Sequence, residues 1–139
     1  MARVVRPGGT VAAYAWDMLG GGFPMEPLRA VMEAMGMAHS MRPPSIEASR
    51  LDAMNTLWRD AGFDAVETRA ITVQRSFADF DDLWATYLLS PSTGGMLDAL
   101  PTTQSEQLKA RLRTSLPADV AGRITYSARA NAVKGRVPE

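Results

Sequence analysis

Arg3-Val-Val-Arg-Pro-Gly-Gly-Thr-Val-Ala-Ala-Tyr-Ala-Trp16 reads as a helix end, a tight turn and a strand with almost no polar residue. Pro7 cannot continue a helix, and Gly8-Gly9 supply positive φ at no steric cost. Thr10 to Trp16 run apolar without alternation, which predicts a strand covered on both faces, as in a parallel α/β sheet. Such a strand belongs inside a sheet, yet only nine residues precede it.

Downstream, the pattern alternates helices with strands. Pro24 and Pro27 suit a first helical turn, where a proline forfeits no intrahelical bond. Leu28, Val31, Met32 and Met35 then give a helix over 26–37 an apolar face, ended by Gly36 and Pro43-Pro44 with a loop through His39. Ser49-Arg-Leu-Asp52 reads as a capping box for a helix whose stripe is Leu51, Met54, Leu57, Trp58 and Ala61. Gly62 takes the left-handed position beyond it. Residues 63–75 read as a strand with Val66, Ile71 and Val73 as its apolar members.

Asp79 is placed to cap a helix carrying Leu83, Trp84, Tyr87 and Leu88. Ser90-Pro-Ser-Thr-Gly-Gly95 reads as a break, 96–100 as a short helical turn, and Thr103-Gln-Ser-Glu106 as a second capping box. The helix after that box is lined by Leu108, Leu112 and Leu116. A strand over 124–133 closes the pattern, with Ile124, Tyr126, Ala128, Ala130 and Ala132 on one face. Strands separated by helices predict an α/β fold in one domain spanning 1–139.

Composition narrows the function classes. Apolar residues make up 46%, enough for a core, and fifteen basic residues balance fifteen acidic ones. That balance offers nothing to nucleic acid or to an anionic membrane. With no cysteine, disulfides and thiolate chemistry are excluded, and a soluble cytoplasmic protein is the expectation. Nine methionines serve as adaptable core filler or line a pliable groove.

The opening turn and strand resemble the segment entering the fifth strand of class I, Rossmann-like S-adenosylmethionine-dependent methyltransferases. There a helix ends in a V-L-(R/K)-P-G-G turn before an apolar strand. Leu57-Trp-Arg-Asp-Ala-Gly-Phe-Asp-Ala-Val-Glu67 is similar to that family's L-x-x-A-G-F helix end and sixth strand. By the same resemblance, 124–133 is the seventh, antiparallel strand, and 77–116 is the helical insertion of small-molecule methyltransferases. The first strand would then lie beside the seventh, its other side open to a fourth strand that this chain lacks.

The family's cofactor site comes mainly from strands that have no counterpart here. The glycines include no G-x-G-x-x-G, since Met25 stands where Gly20-Gly-Gly22 would need its third glycine. The resemblance therefore implies the acceptor-side, C-terminal half of such an enzyme, acting on a small molecule with S-adenosylmethionine as the family's cofactor. None is expected to bind this chain alone. A non-catalytic remnant serving as an oligomerisation or interaction module is the alternative. An open strand edge is a template for association, so a homodimer through Thr10–Trp16 or through bare sheet faces is expected.

Candidate site residues follow from the resemblance. Tyr14, Trp16 and Asp17 lie where the family's strand tip faces the methyl acceptor; core aromatics and a turn-forming Asp are the plainer roles. Trp84 and Tyr87 lie in the insertion that covers the acceptor in relatives, with core packing as the plainer role. Gly20–Gly22 reads as a lid or as a flexible turn. Asp79-Phe-Asp-Asp82 is better explained by the helix dipole than by a metal, and lone His39 has no evident catalytic partner. No catalytic acid–base set emerges, and methyl transfer needs none, because the sulfonium leaving group is already activated and positioning suffices.

Overall fold

A computed structural model describes residues 2–37 and 44–139. His39 and Pro43 lie outside the described residues. Three strands form one sheet in the order β1-β3-β2: β1 is Thr10–Trp16, β2 Asp64–Phe77 and β3 Ile124–Arg136. β1 runs antiparallel to β3, with Thr10 opposite Arg136 and Trp16 opposite Ala130. Ser76 Oγ meets Thr125 Oγ1 at 2.7 Å, where the end of β2 passes the start of β3. The chain is thus α/β with a small three-stranded antiparallel sheet.

Residue contacts divide the chain into two compact units. The first takes Met1–Pro24, Arg42–Val73 and Ala128–Glu139; the second takes Met25–Met41 and Gln74–Ser127. The segment read as an insertion, 77–116, falls in the second.

In the first unit, a 3-10 turn at Ala2–Val4 leads into β1. Of the two glycines between them, only Gly8 has positive φ, at 71°. Helix α2, Leu51–Asp60, packs Met54 and Trp58 with Ala13 and Ala15 of β1, Val66 of β2 and Val133 of β3. The Trp58 and Phe63 rings lie 4.7 Å apart. Gly62 does stand at φ 81°, and the Phe63 N–H returns to the Trp58 carbonyl to close the helix.

Several expectations for this unit are corrected. β1 is an edge strand with one covered face: Val11 is buried, while Tyr14 is 75% exposed. Of the β2 residues read as core, only Val66 is buried; Ile71 and Val73 are exposed, as is Leu57 of α2. Apolar periodicity marks a face that could be covered; in β1 only the odd-numbered side is covered, by α2. The same side explains β3, where burial moves past Ala130 to Asn131, Val133 and Gly135.

The Ser49 capping box does not form. Ser49 sits in a 3-10 turn, Ile46–Ser49, and donates its hydroxyl to the Ile46 carbonyl. Arg50 is the N-cap residue of α2 and takes the Asp52 carboxylate at 3.0 Å. Its guanidinium holds the Asp52 carboxyl below the ordinary range.

The second unit holds helices α1 (Glu26–Ala34), α3 (Phe80–Leu89), α4 (Pro91–Asp98) and α5 (Thr102–Ser115). Leu28, Val31 and Met32 of α1 meet Leu83, Trp84 and Tyr87 of α3 and Leu108 and Leu112 of α5 in one core. Asp79 caps α3 as expected: its carboxylate accepts the Asp82 N–H at 2.9 Å, and Asp82 answers to the Ala78 N–H. Thr103 does not cap α5, because that helix begins at Thr102 with Pro101 as its N-cap residue.

α3 does break at Ser90, but 91–95 does not continue as a loop. Pro91 starts α4 directly, where its missing N–H costs nothing, and Gly94-Gly95 lie inside the helix. A Cβ on Gly94 would overlap the Leu88 carbonyl, so this glycine lets α4 close up against the end of α3.

Candidate functional site

Asp17 follows the last residue of β1 and is buried. Its N–H donates to the Arg129 carbonyl of β3 at 2.9 Å, continuing the ladder by one step. Its carboxylate accepts the Gly20 N–H at 3.0 Å and the Arg129 guanidinium, Nε at 2.7 Å and Nη2 at 2.5 Å. Arg129 Nη2 also donates to the Gly20 carbonyl at 3.1 Å, and the Arg129 N–H to the Gly22 carbonyl at 2.9 Å. Gly22 N–H returns to the Asp17 carbonyl at 2.8 Å.

The glycine turn is therefore tied to Arg129 through backbone and side chain. A Cβ on Gly20 would overlap the Asp17 carboxylate and the Arg129 guanidinium, and one on Gly22 would stand 2.5 Å from the Arg129 carbonyl. These glycines permit close approach, which suits a fastened turn rather than a lid. Removing the clamp is testable. Asp17→Ala is expected to lower stability by about 1–2 kcal/mol, mostly through the stranded Gly20 N–H, because Arg129 is partly exposed and its pairing is screened. Asp17→Asn should fall between wild type and alanine in urea midpoint.

Around this clamp lies an open depression of about 530 Å3, lined by Asp17, Leu19, Gly20, Arg50, Asp52 and Arg129. It holds two guanidiniums and two carboxylates already paired as Arg129–Asp17 and Arg50–Asp52. Buried Asn131 forms part of its wall and donates to the Ser49 carbonyl at 2.9 Å.

Tyr14 and Trp16 stand on the even-numbered face of β1, the side away from α2. There a groove of about 600 Å3 runs across the sheet, lined by Ala12, Tyr14, Glu67, Arg69, Ile71 and Lys134. Lys134 pairs with Glu67 at 3.2 Å across it. Tyr14 and Asp17 thus line separate depressions, so the three residues at the strand tip do not share one pocket.

Trp84 and Tyr87 belong to the second unit and are buried in its core, 7% and 2% exposed. Trp84 stacks on Phe80, with Lys109 Nζ 5.1 Å from its ring centre. The Tyr87 hydroxyl meets that of Tyr126 at 3.1 Å, and burial drives the Tyr87 pKa far above its ordinary value. Asp79 and Asp82 are used in capping, while Asp81 pairs with Arg113 at 3.1 Å. Among the described residues, no group of three or more His, Cys, Asp or Glu could hold a metal ion.

Arg129, Asn131 and Arg50 were not singled out by the sequence reading. Their signal was weak: Arg129 and Asn131 fall on the side of β3 read as mostly polar, where an exposed face is the simple expectation. Compared with known proteins, the chain matches no family model and no curated protein. No helix among the described residues is long and apolar enough to cross a membrane.

Proposed function

We propose that this chain is the acceptor-side half of a class I S-adenosylmethionine-dependent methyltransferase acting on a small molecule, inactive without a cofactor-binding half from outside the chain. One observation carries the reading. β1, the strand after the Arg-Pro-Gly-Gly turn, lies antiparallel to the last strand on one side and, among the described residues, has no strand on the other. That is the neighbourhood the resemblance implies for the fifth strand when the fourth is absent. The Leu57–Phe63 motif adds support, because Gly62 closes α2 and the chain passes straight into β2. The Rossmann-like partial sheet and a cytoplasmic setting belong to the same proposal; the lack of cysteine accords with the latter.

Calorimetric titration with S-adenosylmethionine tests it. No saturable heat is expected for the chain alone, and heat should appear once a segment or partner bearing a glycine-rich strand-turn motif is supplied. Saturable binding by the chain alone would overturn the split-site reading.

The same open edge favours a second reading. Here the chain is a non-catalytic module that dimerises through β1 or through its bare sheet face, with Asp17 engaged in holding a turn rather than facing a substrate. Light scattering at micromolar concentration is expected to give twice the chain mass; a stable monomer would reject this reading.

A further inference from the structure

We propose that two copies of this chain join edge to edge through β1, about a two-fold axis that sets Ala13 opposite the partner's Ala13. The inference rests on the module reading and goes beyond it by fixing the surface and the register.

The hydrogen-bond phase of β1 comes first. At one end the Asp17 N–H bonds to the Arg129 carbonyl, and at the other the Val137 N–H bonds to the Gly9 carbonyl. With Thr10 opposite Arg136 and Trp16 opposite Ala130, the odd-numbered residues of β1 direct their backbone groups toward β3. The even-numbered residues Thr10, Ala12, Tyr14 and Trp16 therefore direct theirs to the free edge. Of these groups only the Trp16 carbonyl already has a partner among the described residues, the Met18 N–H.

A two-fold axis at Ala13 satisfies this row. Ala12 exchanges both bonds with the partner's Tyr14, and Tyr14 with the partner's Ala12. The Trp16 N–H reaches the partner's Thr10 carbonyl. Ala13 and the partner's Ala13 become a non-hydrogen-bonded pair, as the alternation of an antiparallel ladder requires.

Side-chain size selects the same register. Along Thr10-Val-Ala-Ala-Tyr-Ala-Trp16 each large residue falls opposite a small one: Tyr14 on the partner's Ala12, Trp16 on the partner's Thr10, Val11 on the partner's Ala15. A slip of one residue would turn the exposed face over to the side packed on α2. A slip of two would set Tyr14 against the partner's Tyr14 or Trp16 against the partner's Gly8, and would leave strand residues unpaired. The strand also lacks the devices that protect an edge, having no proline and no charged residue.

Because the chain has no cysteine, single-cysteine variants read the register directly. In the proposed dimer the two residues at position 13 have Cα atoms about 4.5 Å apart, within disulfide reach. Those at position 15 are about 13 Å apart along the strands. Ala13→Cys is expected to give a covalent dimer nearly quantitatively on mild oxidation, and Ala15→Cys almost none. Ala12→Pro removes only an outward donor, which an edge strand tolerates, so it should halve the mass in light scattering while keeping the wild-type circular dichroism. Wild type at twice the chain mass with no Ala13→Cys cross-link, or with Ala12→Pro still dimeric, would overturn the β1 interface but leave dimerisation standing. A monomeric wild type would overturn both.

Discussion

Leu108→Ala is expected to be among the damaging truncations of the described core, costing about 2–5 kcal/mol. Helix α5 runs for 14 residues, yet its buried positions are only Leu108 and Leu112, one turn apart and with no accessible surface. The rest of the helix is polar, and an isolated helix of this length is marginal in water. Its apolar attachment to α1 and α3 thus rests on two side chains in a core shared with Leu28 and Leu83, with Arg113 and Lys109 reaching Asp81 and Trp84 beside it. Truncating one removes its transfer energy and opens a cavity that the neighbouring leucines cannot fill without shifting. Leu57→Ala is the matched control: the same atoms are lost from a side chain 52% exposed, and the change should stay within about 0.5 kcal/mol. Urea denaturation followed by circular dichroism measures both. Equal midpoints for the two variants would mean that α5 is not held by Leu108.

The contrast between these two leucines also marks how far the sequence could be read. Both sit on helical stripes of the right period, and periodicity placed α1, α3 and α5 with most of their buried residues, although Leu88 of the α3 stripe is exposed and buried Phe80 was not part of it. It could not say whether anything lies against a stripe. Leu57, Ile71 and Val73 are apolar residues on faces that no described element covers. Local chemistry was legible where partners are near in sequence, as with Asp79 and Asp82. It failed at Ser49, whose hydroxyl turns back to the Ile46 carbonyl while its own carbonyl accepts from Asn131, 82 positions away. Gly94-Gly95 read as non-helical because the tight fit of Gly94 against the Leu88 carbonyl is not visible in the local sequence. At the candidate site, Asp17 was singled out as the carboxylate of an acceptor pocket, with a turn-forming role as the plainer reading, and it does hold the turn. Arg129, which occupies its carboxylate, lies 112 residues downstream and is brought there only by the pairing of β1 with β3.

The paired hydroxyls of Tyr87 and Tyr126 should give the second unit an asymmetric response to mutation and a loss of stability in alkali. Tyr87 is almost fully buried, whereas Tyr126 is half-buried and can find water. Tyr126→Phe therefore strands the Tyr87 hydroxyl and is expected to cost about 1–3 kcal/mol. Tyr87→Phe should cost less than about 1 kcal/mol, and the double variant should lie near it, since no buried hydroxyl is then left alone. For Tyr87, burial first and then the hydrogen bond and charge of Tyr126 raise the folded-state pKa; for Tyr126, burial raises it against smaller opposing effects of Tyr87 and Arg75. Unfolded tyrosines release their protons near pH 10, while these two hold theirs in the folded chain. Their contribution is intact below about pH 9 and drains away above about pH 10, at up to about 1.4 kcal/mol per pH unit for each proton retained. A urea midpoint series from pH 8 to about 12 should show that decline in wild type and a shallower one in the double phenylalanine variant. Parallel declines in the two proteins would assign the alkaline loss to other groups.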